Sequence, residues 1–347
     1  MKRILVVFTG GTIGSRMQNA TIDVDEAAGY YLVKAFQDKY EYEVEFETIQ
    51  PINILSENAT PVHWQLLYDA LRQENLEAYD GVIITHGSDT LSYTCAAIGF
   101  LMCHTRIPIL LTASNYALEY KESNGMDNFC SCVDFISNSP VPGVFAIYQN
   151  NKGKNIVYLA SRIMEADSYT DQYASFGGKH FGEIKNGTLK AKKGKLNPTG
   201  KKLLEKRVPL FDKIAFTNQI LAIRSYPGLN YEFYDLKNKP KAVLHSLYHS
   251  ATGCTGYSDY SLTEFIKRCS MEGIDTYLIS FKSLDSDLYK SSRELLDYGA
   301  QPLQNISFEA AYAKLCIAYN QTAMPAKEYV EKELYFEYLP ELKIERG

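Results

Sequence analysis

The chain has 347 residues, of which 46% are hydrophobic and 22% charged, and a formal net charge of −5. That length allows two domains, the composition is that of a soluble globular protein, and the mild acidity argues against nucleic-acid binding. No apolar stretch is long enough to span a membrane, and the start "MKRILVVFTGGTIG" runs from a short apolar segment straight into a glycine turn, without the length or cleavage region of a signal peptide.

The first expected strand is "ILVVF" (4–8), followed by the glycine-rich turn "TGGTIG". "TPVHWQLLYDALRQ" (60–73) reads as a helix with Thr60 as N-cap and Pro61 at the first helical position. "GVIIT" (81–85) is a second strand, and after Thr90 the residues Leu91, Cys95, Ile98 and Met102 share one helical face. Strands "IPILLT" (107–112) and "GVFAIY" (143–148) follow. Strand alternating with helix predicts an α/β fold with a mostly parallel, doubly wound sheet and right-handed crossovers. At "KNGTLKAKKGKLNPTGKKLLEKRVP" (185–209) the chain turns rich in Lys and Gly, which reads as a solvated linker rather than an anion-binding patch. Beyond it lie "ILAIRSYPG" (220–228), "KAVLHSLY" (241–248) and "DTYLISF" (275–281), with helical patterns near 261–272, 286–298 and 307–320. The expected organisation is a larger N-terminal α/β domain over 1–190, a linker over 191–211, and a smaller α/β domain over 212–347. The tail "AKEYVEKELYFEYLPELKIERG" has the charged and aromatic character of a docking helix.

Seven cysteines are scattered and odd in number, and Cys130 and Cys132 fit neither a CxxC pair nor a zinc knuckle. The expectation is reduced, mostly buried thiols in a cytoplasmic protein, with no metal and no cofactor. In an open parallel sheet the site lies beyond the carboxyl ends of the strands, near a topological switch point. Two strands here end in hydroxyl clusters: Thr9, Gly10, Gly11, Thr12 in one, and His86, Gly87, Ser88, Asp89, Thr90 in the other. Glycine turns let backbone approach a ligand closely and free N–H groups for an anion. A helix N-terminus beside Asp89 favours a negative charge, so this carboxylate can grip an ammonium. Each residue also has a plainer reading: Thr12 as a helix cap, Asp89–Thr90 as a capping pair, His86 as a structural histidine. "GGTIG" is not a dinucleotide fingerprint, and no P-loop lysine follows it.

Together, "TGGTIG" and "THGSDTLSYT" resemble the two signatures of the bacterial L-asparaginases, closest to the cytoplasmic type I branch. The resemblance continues through "NILSENATPVHW" (53–64), "IPILLTASNYAL" (107–118), "ESNGMDNFCSCVDFI" (122–136), "KAVLHSLYHSATGCT" (241–255) and "NISFEAAYAKL" (305–315). It implies hydrolysis of L-asparagine or a related small amide through a covalent acyl-enzyme. It also implies that Thr12 is the nucleophile, Ser88 the second hydroxyl, and Asp89 the carboxylate that binds the substrate α-amino group. Ser56 would bind substrate, and Gly11 and Gly87 would shape the pocket. The resemblance further implies a homodimer or homotetramer. The tRNA-amidating relatives carry an added N-terminal domain, whereas the first strand here starts at residue 4.

Several positions depart from the family pattern. "ASRIMEAD" (160–167) places Glu165, or Ala166 with a one-residue shift, where the family has a lysine. An ammonium there would favour an alkoxide on Ser88; a carboxylate opposes it. Leu55 stands where an aspartate precedes the serine, Ser123-Asn124-Gly125 replaces Ser-Asp-Gly, and "SRMQNATID" (15–23) lacks the expected hairpin tyrosine. Two functions therefore follow: an asparaginase-like amidohydrolase, or an impaired relative that binds an amino acid or similar small ligand without turnover.

Overall fold

The architecture is taken from a computed structural model. It describes residues 1–341 apart from 12, 14, 19–20, 25–27, 212, 257 and 286, and, at 15–18, 21–24 and 28–30, the backbone only. The chain forms two compact units, Met1–Leu210 and Phe211–Gly347.

The first unit opens with β1 (Lys2–Phe8), the hairpin β2 (Ser15–Gln18) and β3 (Thr21–Val24), helix α1 (Ala28–Lys39) and β4 (Val44–Ile49). Helix α2 (Pro61–Gln73) then leads to β5 (Gly81–Thr85), α3 (Leu91–Leu101), β6 (Pro108–Thr112), α4 (Gly125–Asn138) and β7 (Gly143–Gln149). Strands β8 (Asn155–Leu159), β9 (Gly182–Lys185) and β10 (Thr188–Ala191) follow, and a short α5 (Gly200–Leu204) closes the unit. The sheet order is β10-β9-β8-β7-β6-β5-β1-β4. From β4 to β7 all pairs are parallel, and beyond β7 they are antiparallel. Every residue of β5 and β6 is buried, because helices cover both faces and leave no polar side to alternate. Helix α3 is buried almost all round for the same reason, and Leu91, Cys95, Ile98 and Met102 are each at most 2% exposed. Helix α2 starts as its sequence requires, with Thr60 in a reciprocal capping box with His63.

The strand order places the functional end. From β1 the chain moves to β4 on one side, then returns across β1 to β5 and continues outward in that direction. The switch point therefore lies between β1 and β5, whose last residues Phe8 and Thr85 are paired.

The second unit carries a four-stranded parallel sheet of β11 (Ile220–Arg224), β12 (Ala242–Ser246), β13 (Asp275–Phe281) and β14 (Gln301–Gln304), in that order. Helices α6 (Leu262–Met271), α7 (Lys290–Asp297), α8 (Phe308–Ala318) and α9 (Ala326–Glu331) pack with it. Ser261 and Ser307 cap α6 and α8 by accepting from the amides of Glu264 and Ala310. The core includes Val243, Leu262, Phe265, Leu278, Phe281 and Leu295, all at 0–1% exposure, each contributing on the order of 1.5–3 kcal/mol by burial.

The expected α/β class with a mostly parallel sheet holds. Two local expectations need correction. The lysine-rich stretch 185–209 is not a bare linker: it includes β10 and α5. Asn186 and Gly187 both take positive φ (50° and 68°), the signature of a tight hairpin turn, and Lys190 points outward on an edge strand. Among its described residues the tail is helical only over α9; Leu334–Glu337 are buried in non-helical conformation. The hydrophobic pattern also left β4 and β14 unannounced, since half-exposed or short strands carry little continuous apolar signal.

Candidate active site

Past Phe8, Thr9 is buried and donates its hydroxyl to the Thr85 carbonyl at 2.8 Å, tying the two strand ends together. Gly10 and Gly11 take φ of +91° and +80°. A Cβ on Gly10 would sit 2.3 Å from the Ile54 carbonyl oxygen, and one on Gly11 would sit 2.4 Å from the Gly87 nitrogen. Only glycine allows this backbone-on-backbone contact. The 54–56 loop is stitched to the same turn by Gly11 N–H to Ile54 O and Ile54 N–H to Thr9 O, both 3.1 Å. A Cβ on Gly87 would lie 2.4 Å from Ser56 Oγ. Thus Gly11, Ser56, Gly87, Ser88 and Asp89, far apart in sequence, meet at the switch point. Thr12 lies outside the described residues.

Ser56 is 4% exposed, and its hydroxyl donates to Asp89 Oδ2 at 3.4 Å. Thr90 donates to the Ser56 carbonyl at 2.9 Å, fixing the loop against the start of α3. Tyr173 donates to the Ser88 carbonyl at 2.6 Å. Burial pushes the Tyr173 phenol well up, so it remains a donor. His86 has a wall role. Its Nδ1 lies 2.8 Å from the Gly87 carbonyl and its Nε2 3.0 Å from Thr94 Oγ1, which itself accepts from Trp64 Nε1 at 3.1 Å. The carbonyl can only accept, so Nδ1 carries the proton and Nε2 accepts from Thr94. Burial holds the His86 pKa below its ordinary 6.5, which keeps the ring neutral.

Beside these groups is a cavity of about 270 Å³ lined by Ser88, Asp89, Asn115, Tyr148, Glu165, Ala166, Asp167, Ser168 and Asp171. Glu165 and Ala166, the two residues the sequence offers at the family lysine position, therefore face the same space as Ser88. Glu165 accepts a 2.5 Å hydrogen bond from Tyr93 on α3. Asn115 is held by reciprocal backbone-to-side-chain bonds with Asn124, at 3.0 and 2.9 Å. That explains the Ser123-Asn124-Gly125 segment: Asn124 ends the 115–124 loop and starts α4. Asn115, Tyr148, Tyr173, Asp167 and Asp171 were not legible as site residues, because strand β7 and the loops after β6 and β8 bring them in without a motif. Among the described residues, no group of three or more His, Cys, Asp or Glu side chains could hold a metal ion. All seven cysteines are free, five of them buried. No helix among the described residues is long and apolar enough to cross a membrane.

A model of the asparaginase family, described as "Asparaginase, N-terminal", matches residues 3–197. The chain belongs to the asparaginase family. Among its relatives is a subunit of the glutamyl-tRNA(Gln) amidotransferase of Methanococcus maripaludis, 25% identical over 99% of this chain and 82% of that one. The corresponding amidotransferase subunit from Saccharolobus solfataricus is 24% identical over 90% of this chain and 70% of its own length. Among solved structures, the L-asparaginase of Thermococcus kodakarensis superposes with a TM-score of 0.77 at 23% identity, covering 97% of this chain and 99% of that one. L-asparaginase I of Vibrio cholerae gives 0.76 at 22% identity, covering 98% and 99%. These structures share the fold, with its larger N-terminal and smaller C-terminal domain. The asparaginase family places this chain among amidohydrolases and leaves its amide unspecified.

Proposed function

We propose that the protein hydrolyses a small primary amide through Thr12, by the chemistry that L-asparaginases perform on L-asparagine. The observation that carries this reading is the convergence of Gly11, Ser56, Gly87, Ser88 and Asp89 at the switch point, beside a cavity of about 270 Å³. In this reading the Thr12 oxygen attacks the amide carbon and the hydroxyl proton passes to the nitrogen. The C–N bond breaks, ammonia leaves and an ester remains on Thr12. Water then attacks the ester, returns the proton to Thr12 and releases the acid. The positive end of α3, which starts just beyond Ser88 and Asp89, favours the oxyanion. Ser88 supplies the second hydroxyl, and Asp89, backed by Ser56, receives the substrate ammonium.

A second reading is favoured by one feature: Glu165 occupies the neighbourhood of Ser88 where the family has a lysine, and a carboxylate there opposes charge on the hydroxyl oxygen. That reading is a binder without turnover. The relatives named as amidotransferase subunits make L-glutamine a necessary second substrate to try. The experiment is ammonia release from L-asparagine and L-glutamine by the wild type and by Thr12→Ala, with melting shifts in parallel. Loss of the nucleophile is expected to lower turnover by at least about 100-fold. A variant that keeps a tenth of wild-type activity would overturn Thr12 as nucleophile, and melting shifts without turnover would establish the binder.

A further inference from the structure

We propose that the cavity selects amides whose only charge is a cation, a primary amide bearing an ammonium and no free carboxylate. This rests on the amidohydrolase site just described and names its substrate class. The cavity is a site because of its place at the switch point beside Ser88; its carboxylates decide what enters.

Of the nine described residues that line it, four are carboxylates: Asp89, Glu165, Asp167 and Asp171. The other five are Ser88, Asn115, Tyr148, Ala166 and Ser168, all uncharged. Three of the carboxylates are held by hydrogen bonds, Asp89 by the Ser56 hydroxyl at 3.4 Å. Glu165 is clamped by the Tyr93 phenol at 2.5 Å. Asp167 Oδ1 accepts from the Thr170 hydroxyl and amide, both 2.8 Å, and from the Tyr169 amide at 3.2 Å. These donors, the Thr170 hydroxyl first, hold the Asp167 carboxyl below the usual range and keep it anionic. The Asp171 amide closes the same turn on the Asp167 carbonyl at 2.9 Å, and the Asp167 amide bonds the Gln172 carbonyl at 3.0 Å. The loop thus presents its anions in a set arrangement.

Charges lining one concave wall sum into a field that attracts cations and repels anions. A free amino-acid amide carries both signs. Its ammonium gains from Asp89, while its carboxylate is driven against Glu165, Asp167 and Asp171, so the two effects largely cancel. An amide with an ammonium alone keeps the gain. Because much of this wall meets solvent, the preference is modest per charge and sensitive to salt.

A matched series tests this, each member carrying a single primary amide on the same two-carbon chain. 3-Aminopropanamide is a cation, L-asparagine a zwitterion and succinamate an anion. The full-length protein is assayed for ammonia release at low and high ionic strength. The expected order in kcat/KM is cation, zwitterion, anion, with about tenfold between the first two at low salt. The gap should shrink at high salt. It should also shrink in Glu165→Gln and in Asp171→Asn, the second suited to the positive φ of 56° at that position. Ammonia release with L-asparagine equal to or better than 3-aminopropanamide would overturn the charge selection and leave the amidohydrolase reading standing. If no member releases ammonia, that reading falls instead, and melting shifts by the same three compounds decide the selection. A larger shift with 3-aminopropanamide upholds it, and equal or absent shifts overturn it.

Discussion

Two regions of the molecule hold ionisable groups in fixed company, and they do so in opposite ways. In the second unit, Lys314 Nζ lies 2.5 Å from Glu337 Oε1, with both side chains at 0% exposure. The Glu337 carboxylate also accepts the amides of Leu334 at 2.9 Å and Tyr335 at 2.7 Å. Lys314 donates to the Lys332 carbonyl as well, and its ammonium sits 4.3 Å from the centre of the Tyr338 ring. The whole cluster is closed on itself and pins the C-terminal segment against α8. In the first unit, Asp89 and Glu165 each have a partner yet open onto a cavity. Buried charge is therefore not a mark of function by itself. A sealed and satisfied pair is architecture, and fixed polar groups around an accessible space are a site.

The largest expected effect would break the sealed side of that contrast. Lys314→Ala leaves Glu337 without its cation in a dry setting and should lower stability by about 3–5 kcal/mol. Replacing both partners, Lys314→Met with Glu337→Leu, should recover most of the loss. Urea denaturation measures both, and a single-variant loss under about 1 kcal/mol would mean that water reaches the pair.

Acid comes next, because each unit also buries a histidine. His245 is fully buried, with Tyr231 Oη 2.9 Å from its Nε2, and burial lowers its pKa from 6.5 to about 4. His86 is shifted in the same direction. The unfolded chain takes up a proton below about 6.5 that the folded chain refuses, so stability is complete above that pH. It is lost as pH falls from 6.5 toward 4, by roughly 3 kcal/mol for His245 alone. Denaturation midpoints at pH 7, 5.5 and 4.5 should fall in the wild type and fall less in His245→Gln. Parallel slopes for the two proteins would remove His245 from the account.

The smallest effect sharpens the site side. Gly11→Ala combines a positive φ with a Cβ 2.4 Å from the Gly87 backbone nitrogen, which cannot move aside. About 1–3 kcal/mol of stability should go, together with ligand response at the cavity. Gly87→Ala meets the Ser56 side chain instead, so it should be milder in stability while still displacing Ser56. Equal melting temperatures for the two variants would contradict the backbone contact.

Much of this fold is legible in the residues themselves. "ILVVF", "GVIIT", "IPILLT" and "GVFAIY" declare strands because helices bury both of their faces, and a fully buried strand has no polar residues to blur the signal. Pro61 after Thr60 announces α2 through local chemistry alone. The hairpin at Asn186–Gly187 is written just as plainly in its turn dipeptide, yet the surrounding lysines conceal it.

What the sequence determined by itself, then, is whatever depends on near neighbours: strand and helix periodicity, caps, glycine turns and the two family signatures. What only the tertiary structure decided is the company those signatures keep. Glu165, Asp167 and Asp171 lie more than 70 residues beyond Asp89 and follow β8, a strand that joins the sheet antiparallel and carries no motif. Strand order alone brings that loop to the cavity, and Tyr93 on α3 reaches Glu165 only because the sheet sets both beside the same opening. Electrostatic selection depends on distances in space between residues distant in the chain, and no local pattern encodes those.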